Sequence, residues 1–125
     1  MVMDDKKVLI SDDSVLARKQ LKDILKHFGC SNFLEASNGQ EAVNIYKERN
    51  PDLVFLDIVM PVMDGVSATK EIIAYDSSAD IVIVSSVGTQ AQLKNAIIEG
   101  ARDFVQKPIQ ASQIQEIINV RFGGH

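Results

Sequence analysis

Leu53-Val54-Phe55-Leu56-Asp57-Ile58-Val59-Met60-Pro61-Val62-Met63-Asp64-Gly65 decides how the rest of the chain is read. Four apolar residues with no polar break predict a strand buried on both faces, as in a parallel sheet covered by helices on either side. The run ends in a carboxylate, Asp57, and a Met-Pro loop and an Asp-Gly turn follow. The C-terminal edge of such a strand is where α/β proteins bind ligands. Asp57 therefore reads as a nucleophile displayed at that edge.

The same alternation extends in both directions. Val8–Ile10 predicts a first buried strand, and Leu21, Ile24, Leu25 and Phe28 share one face of a helix closed by Gly29. Cys30 is expected to close that helix as a small residue. Phe33-Leu34 marks a second strand. Asn38-Gly39-Gln40-Glu41 reads as an N-cap with a glutamate three residues on, opening a helix with Ala42, Ile45 and Tyr46 inward. Asn50-Pro51 ends it. After the Leu53–Leu56 strand, Val66, Thr69, Ile72 and Ile73 mark a third helix. Ile81–Val84 is a fourth strand, and Leu93, Ala96 and Ile97 face inward from a fourth helix closed by Gly100; Ile98 falls off that inner stripe, with core packing expected for it over an exposed apolar contact. Phe104-Val105 is a fifth strand, and Ile114, Ile117, Ile118 and Arg121 follow helical spacing to a frayed Gly123-Gly124-His125. The pattern predicts an α/β fold with a five-stranded, doubly wound parallel sheet and five helices.

At 125 residues the chain is one domain, 1–125, with no appended output domain expected. A net charge of −4 with no local Lys/Arg cluster offers no footprint for nucleic acid. No apolar run is long enough for membrane insertion, Met1–Lys7 lacks a signal-peptide core, and one cysteine precludes an internal disulfide. A cytoplasmic monomer is the expectation.

The chemistry lies in what ends the strands: Asp12-Asp13 after the first, Asp57 after the third, Ser85-Ser86 after the fourth, Lys107 after the fifth. With the flavodoxin-like order 2-1-3-4-5, taken over from that architecture and not deduced from these residues, strands 1 and 3 adjoin and the three carboxylates converge. Two unit charges 4 Å apart repel by about 4 kcal/mol at an effective dielectric of 20, so a pKa rises or a cation is recruited. Hard oxygen ligands suit Mg²⁺, and Lys107 adds a fixed positive charge. A phosphoryl group arriving there would meet Asp57 as an in-line nucleophile and the Ser85 hydroxyl as a donor. Taken singly, Asp12 or Asp13 reads as a helix N-cap, and a Ser or Lys at a strand end as nothing in particular. Those readings account for one acid, not for three acids and a lysine on one edge.

The ordered set Asp12-Asp13, Asp57 with Met60-Pro61 and Asp64-Gly65, Ser85-Ser86 and Lys107-Pro108 resembles the bacterial two-component response-regulator receiver domain across essentially the whole chain. The segment from Ser85 to Pro108 is most similar to single-domain regulators of the chemotaxis CheY-like type, and CheY is itself a standard example of the order 2-1-3-4-5. The resemblance implies phosphotransfer from a histidine kinase to Asp57, requiring Mg²⁺ with Mn²⁺ as an alternative. The ion would be held by Asp12, Asp13, Asp57 and the Val59 backbone carbonyl. It further implies Lys107 as the conserved-type lysine, Ser85 and Phe104 as the switch pair, a cis Lys107-Pro108 bond, and a remodelled surface of helix 4, strand 5 and helix 5. The partners implied are a histidine kinase, a downstream protein target such as the flagellar motor switch, and a separate phosphatase. Single-domain phosphate sinks and relay intermediates share the same residues.

Four residues depart from the commoner family pattern. Ser11 stands where an apolar residue is usual, and Phe104 where tyrosine is commoner. Val59 and Val87, each two residues beyond a site residue, cannot orient an attacking water, so slow self-dephosphorylation is expected. A flavin carrier is disfavoured because Ser11-Asp12-Asp13-Ser14 repels phosphate where a Gly-rich loop is needed. An Asp-based phosphohydrolase is disfavoured because Val59 replaces the second acid such turnover uses.

Overall fold

The computed structural model describes residues 3–123. Strands and helices alternate throughout: β1 (Met3–Ser11), α1 (Val15–His27), β2 (Cys30–Ala36), α2 (Gly39–Arg49), β3 (Leu53–Asp57), α3 (Gly65–Tyr75), β4 (Ile81–Ser85), α4 (Gln90–Glu99), β5 (Asp103–Gln106) and α5 (Ala111–Phe122). The strands pair in parallel in the order β2-β1-β3-β4-β5. This is the expected flavodoxin-like, doubly wound sheet. No helix among the described residues is long and apolar enough to cross a membrane.

Successive side chains of a strand point to opposite faces, and the central strands are apolar on both. Leu53 and Phe55 of β3 join Val8, Ile10, Val82, Val84 and Val105 under α1 and α5. Val54 and Leu56 join Leu9, Ile81 and Ile83 under α2, α3 and α4. Every residue of β3 is buried, and each large apolar side chain removed from water contributes about 1.5–3 kcal/mol. That double burial makes β3 a rigid mount for whatever follows it.

The first three helices start on side-chain caps. The Ala17, Glu41 and Ser67 amides donate to Ser14, Asn38 and Asp64 respectively. Glu41 completes a capping box one residue earlier than usual, its carboxylate accepting from the Ser37 amide and hydroxyl. Asn50 caps the end of α2 at φ 46. At the other end of α5, Arg121 lies 2.7 Å from Asp80 and 3.6 Å from Asp103, a charge contact without an aligned Nε hydrogen bond to Asp80.

Several expectations need correction. β1 begins at Met3, well before the apolar run Val8–Ile10, because ladder pairing with β2 needs backbone and not apolar side chains. Cys30 does not close α1; the helix ends at Phe28, and Cys30 opens β2, buried. Ile97 and Ile98 are exposed, 42% and 70%, since Ala96 and Leu93 alone turn the inner face of α4 to the sheet. A Lys/Arg cluster does exist: α1 aligns Arg18, Lys19, Lys22 and Lys26, with Arg18 and Lys22 paired to Glu35 and Lys19 to Asp23. Gly123 caps α5 at φ 64, and the rest of the expected frayed end, Gly124-His125, lies outside the described residues.

The β3–α3 loop is fixed by close backbone approach. A Cβ on Gly65 would sit 2.3 Å from the Asp57 carbonyl oxygen, and one on Gly39 would sit 2.3 Å from that of Met63. Both glycines also donate into the loop, Gly65 N–H to Ile58 O at 2.8 Å and Gly39 N–H to Met63 O at 2.9 Å. Between them Val62 is held at φ 67, a left-handed conformation unfavourable for a β-branched residue. Its side chain is 83% exposed and contributes little packing in return. Val62→Asn should therefore stabilise the protein by about 1 kcal/mol, seen as a higher urea midpoint at unchanged m-value.

Candidate functional site

Three elements deliver three carboxylates to one point. Asp12 follows β1, and its side chain accepts from the Ser14 amide at 2.9 Å, which orders the turn into α1. The N-cap itself is Ser14, so neither Asp12 nor Asp13 is spent on capping. Asp57 ends β3 and accepts from the next amide, Ile58 N–H, at 2.9 Å. Asp12 and Asp57 are buried, and Asp13 is exposed at the mouth. Each of the three offers an oxygen within 4.8 Å of the other two.

Lys107, one residue beyond β5, supplies the opposing charge. Its Nζ lies 3.1 Å from Asp12 Oδ2 and 3.3 Å from Asp57 Oδ2. The Lys107-Pro108 bond is cis, and the Lys107 amide donates to Ser85 O at 2.8 Å, tying the ends of β4 and β5 together. Burial works against the lysine's charge, but the carboxylates, Asp12 foremost, outweigh it and raise its pKa. Asp57 moves upward too: burial and then the Asp12 charge push its carboxyl above the usual carboxylate range, with Lys107 only partly offsetting them. One ammonium thus leaves Asp57 electrostatically unsatisfied. Three converging hard oxygens, one from an exposed side chain open to water, are the donor set a divalent cation of the Mg²⁺ kind takes.

The remaining expected residues surround this centre. Ser85 is buried, and its hydroxyl donates to the Val105 carbonyl at 3.4 Å instead of facing an acceptor in the site. Val59 and Val87 are exposed, 62% and 84%, and Phe104 is half exposed on β5. Ser11 is buried with its hydroxyl 3.3 Å from Asn38 O and 3.1 Å from Met60 Sδ, so the polar departure holds the β3–α3 loop against β1.

Two participants escaped sequence reasoning. Arg18 reaches back from α1 to donate to the Asp12 carbonyl at 2.6 Å, holding the acid pair from behind. Thr89 is buried, and its hydroxyl accepts from Ser86 N–H at 3.0 Å and donates to Ser86 O at 2.8 Å. The position of Arg18 on its helix offered no signal, and a threonine before α4 reads only as a cap.

The Asp57 shift carries a stability consequence. With its pKa raised on folding, the native state keeps a proton that the unfolded chain has already lost, so stability falls as pH climbs through that window. At neutral pH the buried charge is a cost, absent from Asp57→Asn. That variant should melt about 2–8 °C higher than wild type without divalent cations, and added Mg²⁺ should raise the melting temperature of wild type more than that of the variant.

Residues 8–119 match the family model of the response regulator receiver domain. The chemotaxis protein CheY of Thermotoga maritima is 47% identical over 114 residues, covering 91% of this chain and 95% of the relative. That of Bacillus subtilis is 47% identical over 113 residues, covering 90% and 94%. Among solved structures, the CheX–CheY–BeF3–Mg²⁺ complex of Borrelia burgdorferi superposes with a TM-score of 0.86 at 36% identity, covering 94% of this chain and 89% of that one. With its strand order, its acidic edge and these likenesses, the chain belongs to the response regulator receiver family, among relatives of the chemotaxis CheY type.

Proposed function

We propose that the protein is a stand-alone phosphoacceptor: Asp57 takes a phosphoryl group from a phosphohistidine of a histidine kinase, and the charge in place is read by a protein partner. The observation that carries this reading is the Lys107 ammonium set between Asp12 and Asp57 with Asp13 alongside. An Asp57 carboxylate oxygen attacks phosphorus in line, an O–P bond forms as the N–P bond breaks, and the imidazole leaves with the electron pair. Lys107, already within reach of Asp57, is placed to move its hydrogen bond to a phosphoryl oxygen. Asp12, Asp13, Asp57 and the Val59 carbonyl would hold Mg²⁺, with Mn²⁺ as an alternative, and the ion supplies charge neutralisation on the phosphoryl oxygens. The Borrelia complex, which contains BeF3 and Mg²⁺ together with a similar CheY, supports that assignment.

For readout, the Ser85 hydroxyl leaves Val105 for a phosphoryl oxygen, and Phe104 turns inward from its half-exposed position. The surface of α4, β5 and α5 then changes for its target. The similarity to the chemotaxis CheY proteins of Thermotoga maritima and Bacillus subtilis supports a chemotaxis role, and the target proposed for that role is a flagellar motor switch protein. A monomer confined to the cytoplasm fits this reading.

Val59 and Val87 are exposed, and their aliphatic side chains cannot orient a water. The acyl phosphate is accordingly long-lived unless a separate phosphatase acts. Intact mass after treatment with a small phosphodonor should show an adduct of about 80 Da that needs Mg²⁺ and is absent from Asp57→Asn; an adduct surviving in that variant ends the proposal. The phosphorylated Val59→Asn, Val87→Glu double variant should decay severalfold faster than wild type. An unchanged or slower decay removes the lifetime assignment while leaving the phosphoacceptor intact.

A further inference from the structure

The helices around the site are not started alike. α1, α2 and α3 each begin with a side chain accepting from the third amide of the helix, whereas α4 and α5 have no side-chain cap. For α5 the residue type explains it, since Gln110 is a poor cap. For α4 it does not. Thr89 stands at the cap position and is a good capping residue, yet its hydroxyl is turned back onto Ser86, accepting from the amide and donating to the carbonyl. The Gln92 amide, the counterpart of the amides capped in α1–α3, is left without that partner.

Ser86 is the residue directly after Ser85. The Ser85 carbonyl is anchored by the Lys107 amide at 2.8 Å, and the peptide that follows it carries the N–H that Thr89 accepts. The loop has room to yield: Gly88 has φ +95, and nothing lies within 4 Å of where its Cβ would be. Resting on the phosphoacceptor reading above, we propose that Thr89 is a positioning residue that couples Ser85 to α4. When Ser85 is drawn to the phosphoryl group, the Thr89 hydroxyl gives up the Ser86 amide and caps the Gln92 amide. The first turn of α4 is thereby completed only in the activated state, and with it the edge of the face a partner reads.

Amide exchange followed by NMR, with beryllofluoride and Mg²⁺ as the phosphoryl mimic, tests this directly. In wild type the mimic should slow exchange at Gln92 by roughly five- to tenfold, the typical worth of one cap, and speed it at Ser86. Thr89→Val should bind the mimic within about threefold of wild type by ¹⁹F NMR, the hydroxyl being bonded to Ser86 and to none of the site's carboxylates or Lys107, but lose the Gln92 response. Thr89→Ser should restore it. A bound wild type with unchanged Gln92 and Ser86 exchange overturns the proposal, whatever the variants do, and so does a full Gln92 response in Thr89→Val. A ¹⁹F signal that does not depend on Asp57 instead overturns the phosphoacceptor reading, and the coupling with it.

Discussion

A single ammonium held between two buried carboxylates organises this molecule. Lys107 Nζ sits 3.1 Å from Asp12 and 3.3 Å from Asp57, drawing the ends of β1, β3 and β5 to one point. Such an arrangement is costly to leave incomplete, because burial penalises each charge and one cation faces more than one anion. Asp57 records the imbalance in its raised pKa. The site is built with a deficit of positive charge, which a divalent cation would relieve.

Much of the local backbone is devoted to keeping Asp57 in place. The β3–α3 loop returns so tightly that Gly65 lies against the Asp57 carbonyl, and Gly39 at the start of α2 lies against the Met63 carbonyl. Asp64 caps α3, and Ser11 reaches Met60 from the adjacent strand. Val62 in a left-handed conformation marks where this tight path conflicts with residue preference. Strain of this kind persists where surrounding contacts over-determine the backbone.

The opposite half of the site is built more loosely. α1, α2 and α3 start on side-chain caps, while α4 and α5 start without them. Ser85 and Thr89 hold their hydroxyls on neighbouring backbone, Val105 O and Ser86, in bonds that can be exchanged for others. A firm half that holds Asp57 and a looser half beside it would suit the proposed switch, since moving elements come from the low-stability end of a fold. The charge contacts of Arg121 with Asp80 and Asp103 pin the far end of α5, leaving its site-proximal end the freer one.

The chain by itself determined the strands, the helices and the identity of the acids at the sheet edge. Buried parallel strands must be apolar throughout, helices must repeat at their own period, and the polar residue that ends a buried run is conspicuous. Given the strand order, Asp12, Asp13, Asp57 and Lys107 could be brought together on paper. Only the tertiary structure decided the orientations. Ala96-Ile97-Ile98 offers consecutive apolar residues to a helix that can bury just one face, so periodicity put Ile98 off the inner stripe but could not tell that Ile97 is exposed as well. The hold of Arg18 on Asp12, the pairing of Lys22 with Glu35, and the turn of the Thr89 hydroxyl away from its own helix each depend on a partner's position in space. Burial pattern is written along a chain because it is a property of each residue; hydrogen-bond choice is a property of pairs, and the pairs exist only after folding.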